Sequence, residues 1–273
     1  MKRPTLTIIF LLLTVFILRT SVTSQISDRL IYNGDTLRLF TNPLEQLYTK
    51  ELERPNFFGK KTGCTTAWND LKGYQANWEI IDNQLYLTGI FSSCYSKDSI
   101  KSDLKELFGD EYINGKVKAD WVTLNLIAPT GKYIYYLITT EESVYESEQE
   151  FQIRNGRLIG TKTYDNSKSR QSIYSINGNK LMEFIYSNIN WSSLPKHEDK
   201  IIKVFIQFSA NENGKVDSVQ VVRSYDSIFD NEAVRVVKAI PEWDIFYQHG
   251  KFVRTKWTLP IVFSSKYEEK YKK

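Results

Sequence analysis

The chain is poor in the residues that carry most catalytic and metal chemistry. Its 273 residues include two cysteines, two histidines and two methionines. His197 and His249 stand far apart in loop-like surroundings, and two distant histidines with two sulfurs match no metal-ligand spacing. The chain contains no glycine-rich phosphate loop, nucleophile elbow or paired-histidine metal motif. These absences argue against an enzyme, a bound metal and a cofactor. The acidic residues Asp103, Glu106, Asp110 and Glu111 lack the spacing of a calcium loop and are expected to be a solvated face. Proline is also scarce, with seven scattered residues, so no proline-rich spacer is present.

Charge of one sign is lacking too. The net charge is +4, from 36 bases and 32 acids. Residues 1–24 hold Lys2, Arg3 and Arg19 and no acid, which leaves 33 bases against 32 acids for the rest. A nearly neutral body has no basic face with which to neutralise phosphates, so nucleic acid is not an expected partner. The apolar run Ile8–Leu18 is shorter than the ~20 residues that span a bilayer. With Lys2 and Arg3 before it and small residues up to Gln25, it is expected to be a signal peptide over residues 1–24. The alternative is an uncleaved anchor, which would be the one route to a membrane. Export would place the protein in the periplasm or outside the cell. There Cys64 and Cys94 can form a disulfide closing a loop of about 30 residues, worth ~3.5 kcal/mol in the chain-entropy model. Two buried free thiols are the other reading.

What remains is rich in strand patterns. Residues 25–165 are expected to form a β-rich domain. Asp82-Asn83 joins two β-prone runs, and Asn155-Gly156 marks the cleanest hairpin. Residues 121–127 alternate as a strand, Pro129-Thr130-Gly131 is expected to turn the chain, and a new strand follows from Lys132. Ser102 is the expected cap of a short helix over 101–108. Trp68, Tyr74, Trp78, Tyr86, Tyr95 and Trp121 are either sheet core or an aromatic platform for a glycan or other ligand.

Polar residues 166–178 read as a linker. A helix over Lys180–Trp191 then presents Leu181, Met182, Ile185 and Ile189 on one face. Strands over 202–208 and 216–222 flank the turn at Asn213-Gly214. A second helix over 230–240, capped by Asp230, ends at Pro241, and Phe252–Phe263 supplies a last strand. The tail 266–273 mixes charges and reads as a solvated end.

The order of these elements over residues 179–265 resembles the TonB C-terminal domain. Asn213-Gly-Lys-Val216, Val219-Gln-Val-Val-Arg-Ser224, Phe229-Asp-Asn-Glu-Ala233, Pro241-Glu-Trp243, Gly250-Lys-Phe-Val253 and Leu259-Pro-Ile-Val-Phe263 carry the resemblance. It implies an α+β fold, with two helices packed on a three-stranded antiparallel sheet behind the β-rich first domain. It also implies an interaction domain that receives an extended peptide, as from an outer-membrane receptor, beside a sheet edge. The corresponding edge residues here are Arg254, Thr255, Lys256, Trp257 and Thr258. Their charges equally suit plain protection of an exposed edge. The first domain resembles a bacterial domain of unknown function through Ile31-Tyr-Asn-Gly34, Thr41-Asn-Pro-Leu-Glu45 and Gly73-Tyr-Gln-Ala-Asn-Trp-Glu-Ile80. A true TonB spacer has no counterpart in this chain.

Overall fold

A computed structural model describes residues 26–48, 53–59, 72–135, 143–196 and 200–272. The expected leader, Cys64, Trp68 and His197 lie outside the described residues. The chain has mixed α+β structure, built as a large sheet followed by a small one.

The large sheet has nine strands. Its main path begins with β1 (Asp28–Tyr32), β2 (Asp35–Leu39), β3 (Tyr74–Ile81) and β4 (Gln84–Ser92). Two short strands, β5 (Tyr112–Ile113) and β6 (Lys116–Lys118), join the side of β4. The path continues through β7 (Leu124–Tyr135), β8 (Val144–Arg154) and β9 (Arg157–Asp165). Strand order is β2-β1-β3-β4-β9-β8-β7, with β1 and β3 parallel. The free ends of this path meet, because the Phe40 amide donates to the Ile127 carbonyl at 2.8 Å. Alternation explains the core: Tyr74, Ala76 and Trp78 of β3 point inward and are fully buried, with Leu30, Leu87, Leu126 and Phe151 from neighbouring strands. Both expected hairpins form, and Asp82, Asn83, Asn155 and Gly156 all take the positive φ such turns need.

Two expectations fail in this unit. Pro129-Thr130-Gly131 does not turn the chain, since β7 runs through it as one strand of 12 residues. Register irregularities between Thr130 and Tyr135 absorb the strain, and Gly131 takes a φ of 75° there. The second correction concerns the helix α2 (Leu104–Phe108), which follows the short α1 (Tyr95–Asp98). Asp103 caps α2 by accepting from the Lys105 and Glu106 amides, while the Ser102 hydroxyl donates to the Phe57 carbonyl.

A buried ion pair fixes β1 to the segment before β3. Lys72 Nζ contacts Asp28 Oδ1 and donates to Asn42 Oδ1 at 2.8 Å. Asp28 also accepts from the Ala76 amide and the Trp78 indole, both at 2.9 Å. Every charge in the pair is thus hydrogen-bonded, the condition under which buried ions are tolerated.

The small sheet is three-stranded and antiparallel, in the order β11-β10-β14. Its strands are β10 (Ile202–Ala210), β11 (Val216–Arg223) and β14 (Trp257–Phe263). A two-stranded ribbon, β12 (Phe246–Gln248) with β13 (Lys251–Val253), precedes β14. The expected strand Phe252–Phe263 is therefore interrupted at 254–256. The helices α4 (Gly178–Asn188) and α5 (Ser227–Lys238) cover one face of the sheet. Asp226, not Asp230, caps α5, and Asp230 instead accepts from Ser224 Oγ and the Tyr225 amide. On α4, Ile185 and Tyr186 are buried while Met182 is exposed, so the apolar face is rotated from the expected one.

Ala233 is fully buried beneath the sheet, and Trp243 packs edge-on against Phe208 at 4.8 Å. Gly214 takes a φ of 84°, and a Cβ there would meet the Trp243 carbonyl at 3.1 Å.

Residues 166–176 are not a loose tether. After β9, Asn166 is fully buried and accepts from the Gly250 amide. Arg170 and Ile245 exchange backbone hydrogen bonds. Next comes α3 (Ile173–Ile176), where Asp244 Oδ1 accepts from the Ser172 amide and the Ser175 hydroxyl. The charged tail is also structured. It forms α6 (Ser265–Tyr271), whose Tyr267 stacks on Tyr186 of α4 at 4.2 Å.

Candidate peptide-binding edge

The small sheet has two outer strands, and among the described residues β14 is paired on one side only, with β10. An antiparallel strand points successive amides to alternate sides. The Val262 amide is directed away from β10, since it donates to the Tyr186 hydroxyl at 3.4 Å. Alternation then puts Pro260 and Thr258 on the outer flank as well. Proline has no N–H, and an outward-facing edge position is where a strand tolerates it. The outer flank of β14 therefore offers Thr258 as a free donor, a carbonyl at Pro260, and a donor at Val262 already engaged by Tyr186.

Tyr186 is well placed to close that end. Burial pushes its hydroxyl up to about 12, and Tyr267 and Tyr271 add to this, against the opposing hydrogen bond from Val262. It stays neutral at working pH and can keep accepting from Val262. Tyr267 of α6, stacked on its ring, and Tyr271, tilted against it, hold it in place. The sequence did carry signals for this arrangement. Pro260 within a strand pattern marks an edge, and tyrosines at 267 and 271 share a helical face.

The five expected edge residues divide between the strand and the connection before it. Trp257 and Thr258 open β14, whereas Arg254, Thr255 and Lys256 lie between β13 and β14. Arg254 is committed within the chain: its two terminal nitrogens reach Asp217 Oδ1 at 2.5 Å and Oδ2 at 3.1 Å, and one also donates to Ser209 Oγ. Arg254 holds the Asp217 carboxyl below the usual carboxylate range, against a smaller effect of burial. Trp257 is half-buried and packs edge-on against Trp243 at 5.9 Å and Tyr135 of β7 at 6.3 Å. Lys256 and Thr258 are exposed and Thr255 is half-exposed.

The other expected features fall elsewhere. Tyr74 and Trp78 are core residues, and Trp121 is half-buried, stacked on Phe108 at 5.9 Å. These three form no exposed aromatic platform. Cys94 follows β4 and is half-buried. The acidic residues gather no metal-binding group among the described residues. His249 is not a bare turn residue. Its Nδ1 lies 2.6 Å from Oε2 of Glu148, which is buried on β8, and its ring packs on Tyr164. A separation of 101 residues hides that contact from local pattern reading.

Among the described residues, no helix is long and apolar enough to cross a membrane. Comparison with curated proteins gave no match, and neither did comparison with solved structures. Residues 201–265 match the family model described as Gram-negative bacterial TonB protein C-terminal. That stretch runs from the start of β10 to the start of α6 and includes the whole three-stranded sheet. Its α+β architecture agrees with the match, and residues 201–265 of this chain are a TonB C-terminal domain.

Proposed function

We propose that this is an exported envelope protein of a Gram-negative bacterium, without catalytic activity, whose C-terminal domain binds an extended segment of another protein by strand addition. The receiving position is the outer flank of β14 around Thr258, together with residues 255 and 256 before it. The observation that carries this reading is the one-sided pairing of β14 with an unblocked amide at Thr258. Strand addition uses main-chain donors and acceptors, so it requires no conspicuous side-chain signature. Pro260 and Tyr186 limit the docking register to the first part of the strand. An outer-membrane receptor is the proposed partner. The Cys64–Cys94 bridge belongs to the same proposal. It is supported by Cys94 being held in a disulfide and by Cys64 being the chain's other cysteine.

The test is site-specific photocrosslinking from position 256, which is exposed, in the full chain, in envelope preparations, with the captured protein identified by mass spectrometry. A crosslink to an outer-membrane receptor that disappears in Thr258→Pro supports the reading. Proline at 258 removes the outward amide while leaving the β10 ladder intact. A crosslink that survives this substitution rejects strand addition as the binding mode.

A further inference from the structure

The outer surface of the large sheet contains a groove of about 450 Å³ between β1, β3 and the residues after β4. It lies within the ~300–1,000 Å³ range of small-ligand sites. The strand register assembles it. Arg29 of β1 stands opposite Asn77 of β3, and Asn77 stands opposite Gly89 of β4. Because Gly89 has no side chain, the Phe91 ring folds back over it. A Cβ at Gly89 would come within 2.5 Å of that ring. Phe91 meets Tyr95 of α1 edge-to-face at 4.8 Å, which makes an aromatic corner at one end of the groove.

Its polar groups are unfinished. Asn77 Oδ1 and Ser93 Oγ are shielded from solvent and have no hydrogen-bond partner among the described residues. Shielded polar atoms in folded proteins are nearly always satisfied, so two orphans in one groove call for a missing partner. Arg29 is exposed and forms none of the ion pairs among the described residues. The nearby carboxylate of Asp98 is already engaged, by the Ser92 hydroxyl and the Ile100 amide. Glu79, further along β3, stands opposite Tyr86 and lies outside the groove lining.

We infer that this groove binds a carboxylate-bearing sugar residue. Arg29 supplies a cation for the carboxylate. Both side chains line the groove, and a turn of each toward it presents Asn77 Oδ1 as an acceptor for a hydroxyl or amide donor and Ser93 Oγ as either partner. The Phe91–Tyr95 corner offers an aromatic surface to the apolar side of a sugar ring. This site is separate from the β14 edge and stands whether or not that edge binds a peptide.

The test is a titration of the full exported chain with D-glucuronate and N-acetylmuramate, followed by NMR at the Ser93 and Tyr95 amides. Glucose, which lacks the carboxylate, and glutarate, which lacks the ring, are the comparison probes. Saturable shifts with the acidic sugars are expected. Arg29→Met should weaken binding by about tenfold or more, as loss of a charge-assisted hydrogen bond implies. Tyr95→Ala should weaken binding too. Both residues are exposed, so the variants should keep the parent's thermal midpoint. Absence of shifts at millimolar acidic sugar overturns the inference. So does glutarate binding as tightly as the sugars, or unchanged binding in Arg29→Met.

Discussion

The two sheets treat their edges differently. In the large one, the end strands β2 and β7 are brought together, with the Phe40–Ile127 hydrogen bond closing the path. In the small one, β11 and β14 each keep a single neighbour among the described residues. A closed sheet removes the template for visiting strands, while an open one must manage it. The small sheet does so by degrees. Pro260 removes one outward donor, Tyr186 occupies another, and Thr258 is left. Arg254, the most conspicuous charge near the edge, is tied to Asp217 on the opposite side of the sheet. On the two proposals above, binding in this chain draws on what is left unpaired: a backbone edge in the small sheet and polar atoms on an outer groove in the large one.

The contrast extends to ion pairs, and the largest expected effect tests it. Lys72 and Asp28 are almost wholly buried, so Lys72→Ala leaves an uncompensated carboxylate and should destabilise the protein by about 3–5 kcal/mol in urea unfolding. A loss under about 1 kcal/mol would show that water reaches the pair. Next in size is the joint between the regions. His249→Ala leaves the buried Glu148 carboxylate with only the backbone amide of residue 249, and a loss of about 1–3 kcal/mol is expected. No change would mean that the two sheets are not tied at this point. The exposed pair of the small sheet should matter less still. Arg254→Ala is expected to lower stability only slightly, and less in high salt.

The smallest effect concerns pH. Burial raises the Asp244 carboxyl above its ordinary value, Glu242 adds to this, and hydrogen bonds from Ser175 and Ser172 offset part of it. The folded state therefore holds this proton more tightly than the unfolded chain does. Stability from this group falls as pH rises through the window between the unfolded value and the raised folded one. Asp244→Asn should flatten the profile in that window and leave the protein equally or slightly more stable at neutral pH. Glu232 has the opposite sign. Burial alone would raise it, but Arg235 and the Asn190 amide outweigh burial and lower it. Its contribution is present above the unfolded value and is lost as acid is added through the lowered folded value. Urea unfolding across acidic pH, comparing Asp244→Asn and Glu232→Gln with the parent, checks both signs.

Local chemistry was legible in the sequence, and distant contacts were not. Asp82-Asn83, Asn155-Gly156 and Gly214 announce their turns because positive φ favours those residues. Alternation over 202–208 gives β10 and its buried face. Proline and glycine misled at 129–131, where pairing with β8 overrides a turn signal. Counting charges at 266–273 hid the tyrosine stripe that docks α6 on α4. The parallel pairing of β1 with β3 and the contact of His249 with Glu148 join residues too far apart for any periodicity to register. For the proposed binding edge, sequence resemblance pointed to residues 254–258. The break at 254–256 and the internal commitment of Arg254 and Trp257 emerged only from packing.

The central claim is that β14 accepts a strand at Thr258 and not at Val262. Residue-resolved amide hydrogen exchange on the full chain, free and bound to the crosslinked partner's segment, tests this directly. The Thr258 amide should exchange fast in the free protein and slow markedly on binding, while Val262 changes little. Binding that leaves Thr258 exchange unaltered would contradict the account.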